Sequence, residues 1–98
     1  MAKLTIVYWR DIPAQVIVKE RRESAKVVLT ERFAEAIDKA AMRAKMAGTD
    51  AYLEQWHHEV KKCGNDLQAA ADEAAEKLEQ AYTDERLKML IRNGGVEE

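Results

Sequence analysis

The chain has 98 residues, of which 47% are apolar and 35% are charged, so its length and composition are those of one folded domain. This composition excludes a disordered polymer, and no apolar run approaches the ~20 residues that a membrane-spanning helix requires. Cys63 is the only cysteine, which excludes an intrachain disulfide and favours a reducing compartment, so we expect a cytoplasmic protein.

The net charge of −2 hides two different compositions along the chain. Residues 1–29 carry six Lys or Arg against three Asp or Glu, whereas residues 30–98 carry ten against fifteen. Neither segment has the strong positive balance of a nucleic-acid-binding protein, so we expect no nucleic-acid partner, and no membrane partner either. The two compositions predict one domain over residues 1–98, with a sheet layer at 3–29, a helical layer at 30–93 and a frayed tail at 94–98.

Three short strands are predicted in the first third of the chain. Residues 4–10 are apolar on both alternating sets of positions, which predicts a strand that lies between two others or is covered on both sides. Pro13 interrupts the pattern because proline lacks an N–H and restricts the residue before it. A second strand with one wetter face follows over 14–19, and a third follows over 25–29 after a polar hairpin connection.

Beyond residue 29 the apolar spacing becomes helical. Thr30 is the predicted N-cap of a first helix that ends at Gly48. A second helix is expected from residue 49 or 50 to about residue 63, with Leu53, Trp56 and Val60 as its apolar stripe.

Asn65, with Gln68 three residues later, resembles a capping box and begins a predicted third, alanine-rich helix. Thr83 and Asp84 either cap a fourth helix or lie within a continuing third. The fold class is therefore α+β, a small three-stranded, mainly antiparallel sheet packed with three or four helices. The alanine-lined helix exceeds what one sheet face needs, so a homodimer through its surplus face is a hypothesis.

The densest group of reactive side chains is Glu54, His57, His58 and Cys63. On a helix, Glu54 faces both histidines, and Glu-x-x-His is half of the ligand set of a di-iron bundle. A metal site would need further ligands, and the chain has no other histidine. Cys63 beside two lysines could act as a reactive thiol, although a cysteine before glycine is more often a small filler. The alternative for both histidines is a solvated helix face.

Trp9, Arg10 and Asp11 place aromatic, cationic and anionic side chains at the end of the first strand, where rigidly positioned loops often bind partners. The alternative is that Trp9 belongs to the core and that Arg10 and Asp11 form a weak local ion pair. The sequence contains no glycine-rich phosphate loop, Cys-x-x-Cys pair or nucleophile elbow. We therefore expect a non-enzymatic accessory or protein-interaction module with no cofactor. The rival hypothesis is a small metal- or thiol-dependent catalyst built on Glu54, His57, His58 and Cys63.

The stretches KLTIVYWRDIPAQVIVK and ERFAEAIDKAAMRA resemble a small bacterial family known as virulence factor, over about residues 3–48. A related domain is similar to the C-terminal part of a larger staphylococcal-type protein called conserved virulence factor C. The resemblance implies an accessory part in corrinoid- or tetrahydrofolate-linked methyl transfer, with a methyl-transfer enzyme component as partner. A corrinoid- or folate-binding subunit would need a concave apolar pocket of several hundred Å³. The family supplies no catalytic residues to assign here.

Overall fold

One antiparallel sheet organises the protein in the computed structural model, which describes residues 2–46, 48–64 and 66–96. Its strands are β1 (Ala2–Trp9), β2 (Ile12–Glu20), β3 (Glu23–Val28) and β4 (Trp56–Cys63), in the order β3-β2-β1-β4. The helices are α1 (Glu31–Arg43), α2 (Asp50–Glu54), α3 (Leu67–Ala81) and α4 (Asp84–Arg92).

The central position of β1 is confirmed, but the prediction of three strands confined to the first third of the chain is wrong. Residues 56–63, expected to continue a helix, form β4 and pair with β1 from Trp9 opposite Trp56 to Ala2 opposite Cys63. The physical reason is that β1 has two hydrogen-bonding edges and β2 satisfies one of them. Without β4, the second edge would leave a row of backbone N–H and C=O groups unpaired.

The first helix follows its prediction at one end. Thr30 precedes α1 in an extended conformation, but its hydroxyl donates to Glu79 and accepts no hydrogen bond from the helix. The helix ends at Arg43, before the predicted stop at Gly48, because Lys45 already adopts a left-handed conformation with φ of 61°.

The third and fourth helices are separate. Asp66 caps α3 by accepting the Ala69 N–H at 3.1 Å, whereas Asn65, the predicted cap, lies outside the described residues. Thr83 begins α4 by accepting the Arg86 N–H at 3.2 Å, which settles the alternative that the sequence leaves open.

The core has two parts, one between a face of the sheet and α3 and one between α1 and α4. In the first part, β2 packs against α3. Val16 and Val18 of β2 are fully buried there, and α3 packs against β2 and β3 through the buried Ala71 and Ala75. Alanine allows this helix to lie close to the sheet because its side chain adds little thickness. The alanine stripe is therefore used within the chain, and most of the exposed positions of α3 are polar or charged. α1 packs against α4 and β2.

Gly94 and Gly95, expected in a frayed tail, are buried. The Gly95 carbonyl accepts the Asp11 N–H at 2.9 Å, which joins the end of α4 to the β1–β2 turn. Residues 97 and 98 lie outside the described part of the chain. Among the described residues, no helix has the length and apolar content that crossing a bilayer requires.

Candidate functional site

The predicted contact residues Trp9 and Arg10 have structural roles. The indole of Trp9 is fully buried, and its Nε1 donates to the Tyr52 carbonyl at 2.9 Å. The Trp9 ring is therefore core, as the alternative interpretation holds, and it is not accessible to a partner.

The guanidinium of Arg10 joins three segments of the chain. It donates to Gln55 Oε1 at 3.2 Å, to the Gly94 carbonyl at 3.0 Å and to Met46 Sδ at 3.2 Å. Arg10 holds the left-handed turn between β1 and β2, with φ of 54°. Its donors are used within the chain, so this side chain fastens the turn to the helices.

A small recess of about 270 Å³ adjoins this turn. Tyr8 stacks on His57 there with ring centroids 5.3 Å apart, and His57 Nε2 hydrogen-bonds the Arg10 carbonyl. The Tyr82 hydroxyl donates to the Asp11 carbonyl at 3.3 Å. The side chains that line the recess therefore contact other parts of the chain. Burial, together with the nearby Glu59 carboxylate, raises the pKa of Tyr8 to about 12.

The four residues of the rival catalyst do not converge. Glu54 ends α2, whereas His57 and His58 are adjacent on β4 and therefore point to opposite faces of the sheet. Cys63 lies six residues beyond His57, roughly 20 Å along an extended strand. In the described part of the chain, no three His, Cys, Asp or Glu side chains are grouped to hold a metal ion. The helical spacing assumed for Glu54 and the histidines is wrong because β4 is a strand.

A groove of about 400 Å³ lies between α3 and β4 on the core side of the sheet. Leu4, Ile6 and Cys63 are among its lining residues. Leu4 and Ile6 are only 8% and 5% exposed, so these two side chains offer a ligand little apolar surface.

The opposite face of the sheet is covered at the end that carries Trp9 and is mostly exposed beyond it, and we call this exposed part the open face. Strand pairing places its side chains in three parallel rows, because residues directly opposite each other in an antiparallel sheet share a face. The main strand contacts of the helices near it are those of α1 with β2 and of α2 with β4, and Tyr52 of α2 also accepts the hydrogen bond from Trp9. The rows are Ser24–Lys19–Lys3–Lys62, Lys26–Ile17–Thr5–Val60 and Val28–Gln15–Val7–His58.

Apolar and basic side chains share the open face. Val28 and Val60 are 66% and 58% exposed, and Ile17 is half-buried between them. All four lysines of the three rows are exposed, and the rows contain no Asp or Glu. This surface is not predicted from the sequence, because β4 supplies one of its four columns of side chains and was expected to be helical. The one feature of the sequence that indicates it is the mixture of polar and apolar residues at Gln15, Ile17 and Lys19, on the more solvent-exposed face of β2.

Comparisons with known proteins place the chain in a family and give no closer relative. No curated protein and no solved structure matched the sequence. A family model described as Virulence factor matches residues 7–91, a span from β1 to α4 that extends well beyond the stretches carrying the resemblance. The chain therefore belongs to the virulence factor family.

Proposed function

We propose that the protein is a non-enzymatic interaction module that binds a protein partner through the open face. The observation that carries this proposal is the exposure of Val28 and Val60 on the open face. The outward positions of a solvated sheet face are mainly polar, as the first row of this face is. The second and third rows add three aliphatic residues with exposed surface, Ile17, Val28 and Val60, which a partner would remove from water.

The same face favours binding over catalysis. The groups with reactive chemistry, His57, His58 and Cys63, are separated by the strand geometry of β4, whereas Ile17, Val28 and Val60 lie on one face of the sheet. The free thiol of Cys63 supports a reducing compartment, so we place the module in the cytoplasm. A component of corrinoid- or folate-linked methyl transfer is the partner that the family resemblance implies.

Affinity capture from the native cell at low salt tests this proposal. Wild-type protein is compared with the double variant Val28→Glu/Val60→Glu and with the matched control Met42→Glu/Met89→Glu. The control methionines are similarly exposed, at 61% and 56%, but lie on α1 and α4. Equal melting temperatures of the variants would establish that each one folds.

We expect a stoichiometric protein that co-purifies with the wild type and the control but not with the open-face variant. Absence of any stoichiometric protein from all three captures would refute the proposal. Equal loss from both variants would show that added negative charge, and not the open face, decides binding.

A further inference from the structure

We infer that the open face binds an amphipathic helix whose apolar stripe ends in a cluster of carboxylates. This inference rests on the proposed function and adds the chemical class of the partner. It follows from three features of the face: the position of its lysines, the shape of its apolar rows and the residue types that it lacks.

The lysines of the first row repel one another. Lys3 lies directly opposite Lys19 on one side and Lys62 on the other, with neighbouring strands ~4.8 Å apart. Like charges directly opposite each other in a sheet are destabilising. None of the ion pairs between described residues involves these three lysines. The row therefore concentrates positive charge that these ion pairs leave without a partner, and carboxylates from a partner protein would neutralise it.

The remaining charge of the face extends this basic region along one side. Lys26, on the outer strand β3, begins the second row beside Ile17. Positive charge therefore borders the apolar residues on two sides, along the first row and along the β3 edge of the face. The other end, by contrast, holds Val28, Val7 and His58. A complementary partner has an apolar stripe with acidic residues concentrated at one end of it.

The dimensions of the face suit one helix. Its four strands span about 14 Å between the outer columns, at ~4.8 Å per strand, and a helix with its side chains is ~10 Å wide. The apolar side chains of the three rows are valine or isoleucine, so none of them projects far from the sheet. A recess of about 300 Å³, lined in part by Gln15 and Val28, adjoins the third row. α3 covers the opposite face in the same way, and a second helical layer would complete a helix–sheet–helix arrangement.

A nucleic acid fits the face less well. Proteins that bind single strands stack the bases on aromatic side chains, and the three rows contain only the imidazole of His58. The protein as a whole has a net charge of −2, which opposes binding to a polyanion. A folded acidic helix presents its charge locally, opposite the lysines.

Site-specific photocrosslinking in the native cell tests this inference. A photoreactive amino acid is placed at position 28 or 60 on the open face, and at position 42 or 89 on the helices as matched controls. Mass spectrometry then identifies the crosslinked segment. We expect crosslinks from positions 28 and 60 to one amphipathic, carboxylate-rich helical segment of another protein, and none to that segment from positions 42 and 89.

The outcomes separate the two proposals. A crosslinked protein segment that is basic, uncharged or extended overturns this inference while leaving a protein partner in place. Crosslinks to a second copy of the chain also overturn it and identify the open face as a self-association surface. Crosslinks to RNA, or to no macromolecule at all, overturn the proposed function itself.

A synthetic peptide of the crosslinked segment then tests the charge argument with the full-length protein. We expect Lys19→Glu/Lys62→Glu to weaken peptide binding about tenfold or more, and the control Lys39→Glu/Lys88→Glu to change it by less than about twofold. Raising the salt concentration should weaken wild-type binding, because screening acts on exposed charges. Equal effects of the two double variants, or affinity insensitive to salt, would overturn the role of the lysine row.

Discussion

Gly95 lies directly against the indole ring of Trp9. A Cβ at position 95 would be 2.6 Å from Cζ3 of Trp9, and Gly95 has a φ of 96°. Both the contact and the backbone conformation require glycine, because a side chain would clash with a fully buried ring and would strain the turn. Through this contact, the segment after α4 packs against the end of the sheet.

We expect Gly95→Ala to lower the free energy of unfolding by about 2–4 kcal/mol, because it adds overpacking to the positive-φ cost. Gly48→Ala is the matched control. Gly48 has a φ of 75°, but a Cβ there would meet nothing within 4 Å. The control should therefore cost only about 1 kcal/mol in urea unfolding. Equal losses for the two variants would show that Trp9 can move aside.

Arg10→Lys should destabilise the protein although it keeps the charge. Lysine cannot reproduce the planar set of donors that reaches Gln55, Gly94 and Met46 at once. We expect the free energy of unfolding to fall by about 1–3 kcal/mol in urea titrations. Arg22→Lys, at an exposed position of the β2–β3 turn, should have no measurable effect. An unchanged midpoint for Arg10→Lys would contradict the fastening role.

Glu79 links α3 to the start of α1 and makes stability depend on acidic pH. Burial alone would raise the pKa of Glu79, but hydrogen bonds from the Thr30 N–H and hydroxyl and from Arg32 outweigh it and hold the pKa below its usual range. A lowered carboxyl pKa stabilises the folded state above the unfolded pKa of ~4.3, and this contribution is lost as the pH falls through the folded value.

The pH dependence of unfolding checks this role. We expect Glu79→Gln to lower stability by about 1–2 kcal/mol at neutral pH and to flatten the loss of stability below about pH 4. Glu35→Gln removes the same charge from an exposed position on α1 and should leave the acid limb unchanged. If the wild type and Glu79→Gln lost stability equally steeply below about pH 4, the role of Glu79 in the pH dependence would be contradicted.

Tyr8 should ionise well above the usual pKa of a tyrosine, which is about 10. Its pKa of about 12 reflects burial first and the nearby Glu59 second. Because the neutral phenol is favoured in the folded state, its contribution to stability is present below about pH 10 and is lost as the pH rises towards 12. Ultraviolet titration of tyrosinate in the wild type should contain a component near 12 that Tyr8→Phe removes. Persistence of that component in the variant would assign it elsewhere.

Val60→Thr should change the free energy of unfolding by less than about 0.5 kcal/mol, because Val60 is 58% exposed and the substitution keeps the β-branched shape. Val16→Thr places the same hydroxyl in the core, where it would be buried, and should cost about 1–3 kcal/mol. Thermal unfolding of the two variants compares them directly. A large loss for Val60→Thr would mean that the open face contributes to folding and is not reserved for a partner.

The sequence by itself determined the class of the fold and the place of its first strand. Residues 4–10 are apolar on both alternating sets, which requires neighbours on both sides, and β1 has them. The change from alternating to helical spacing after residue 29 correctly indicates α1 and α3, but leaves open whether α4 is a separate helix. These features are local, because the period of apolar residues is set by the backbone geometry of each element.

Only the tertiary structure decided that residues 56–63 form a strand, and therefore which side chains lie on the open face. Trp56 and Val60 are four residues apart, a spacing that places them on one face of a helix and equally on one face of a strand. Residues 56–63 form a strand because they pair with the free edge of β1, which is distant in sequence. That choice separates His57 from His58 and completes the open face, because which side chains become neighbours depends on strand pairing between distant segments.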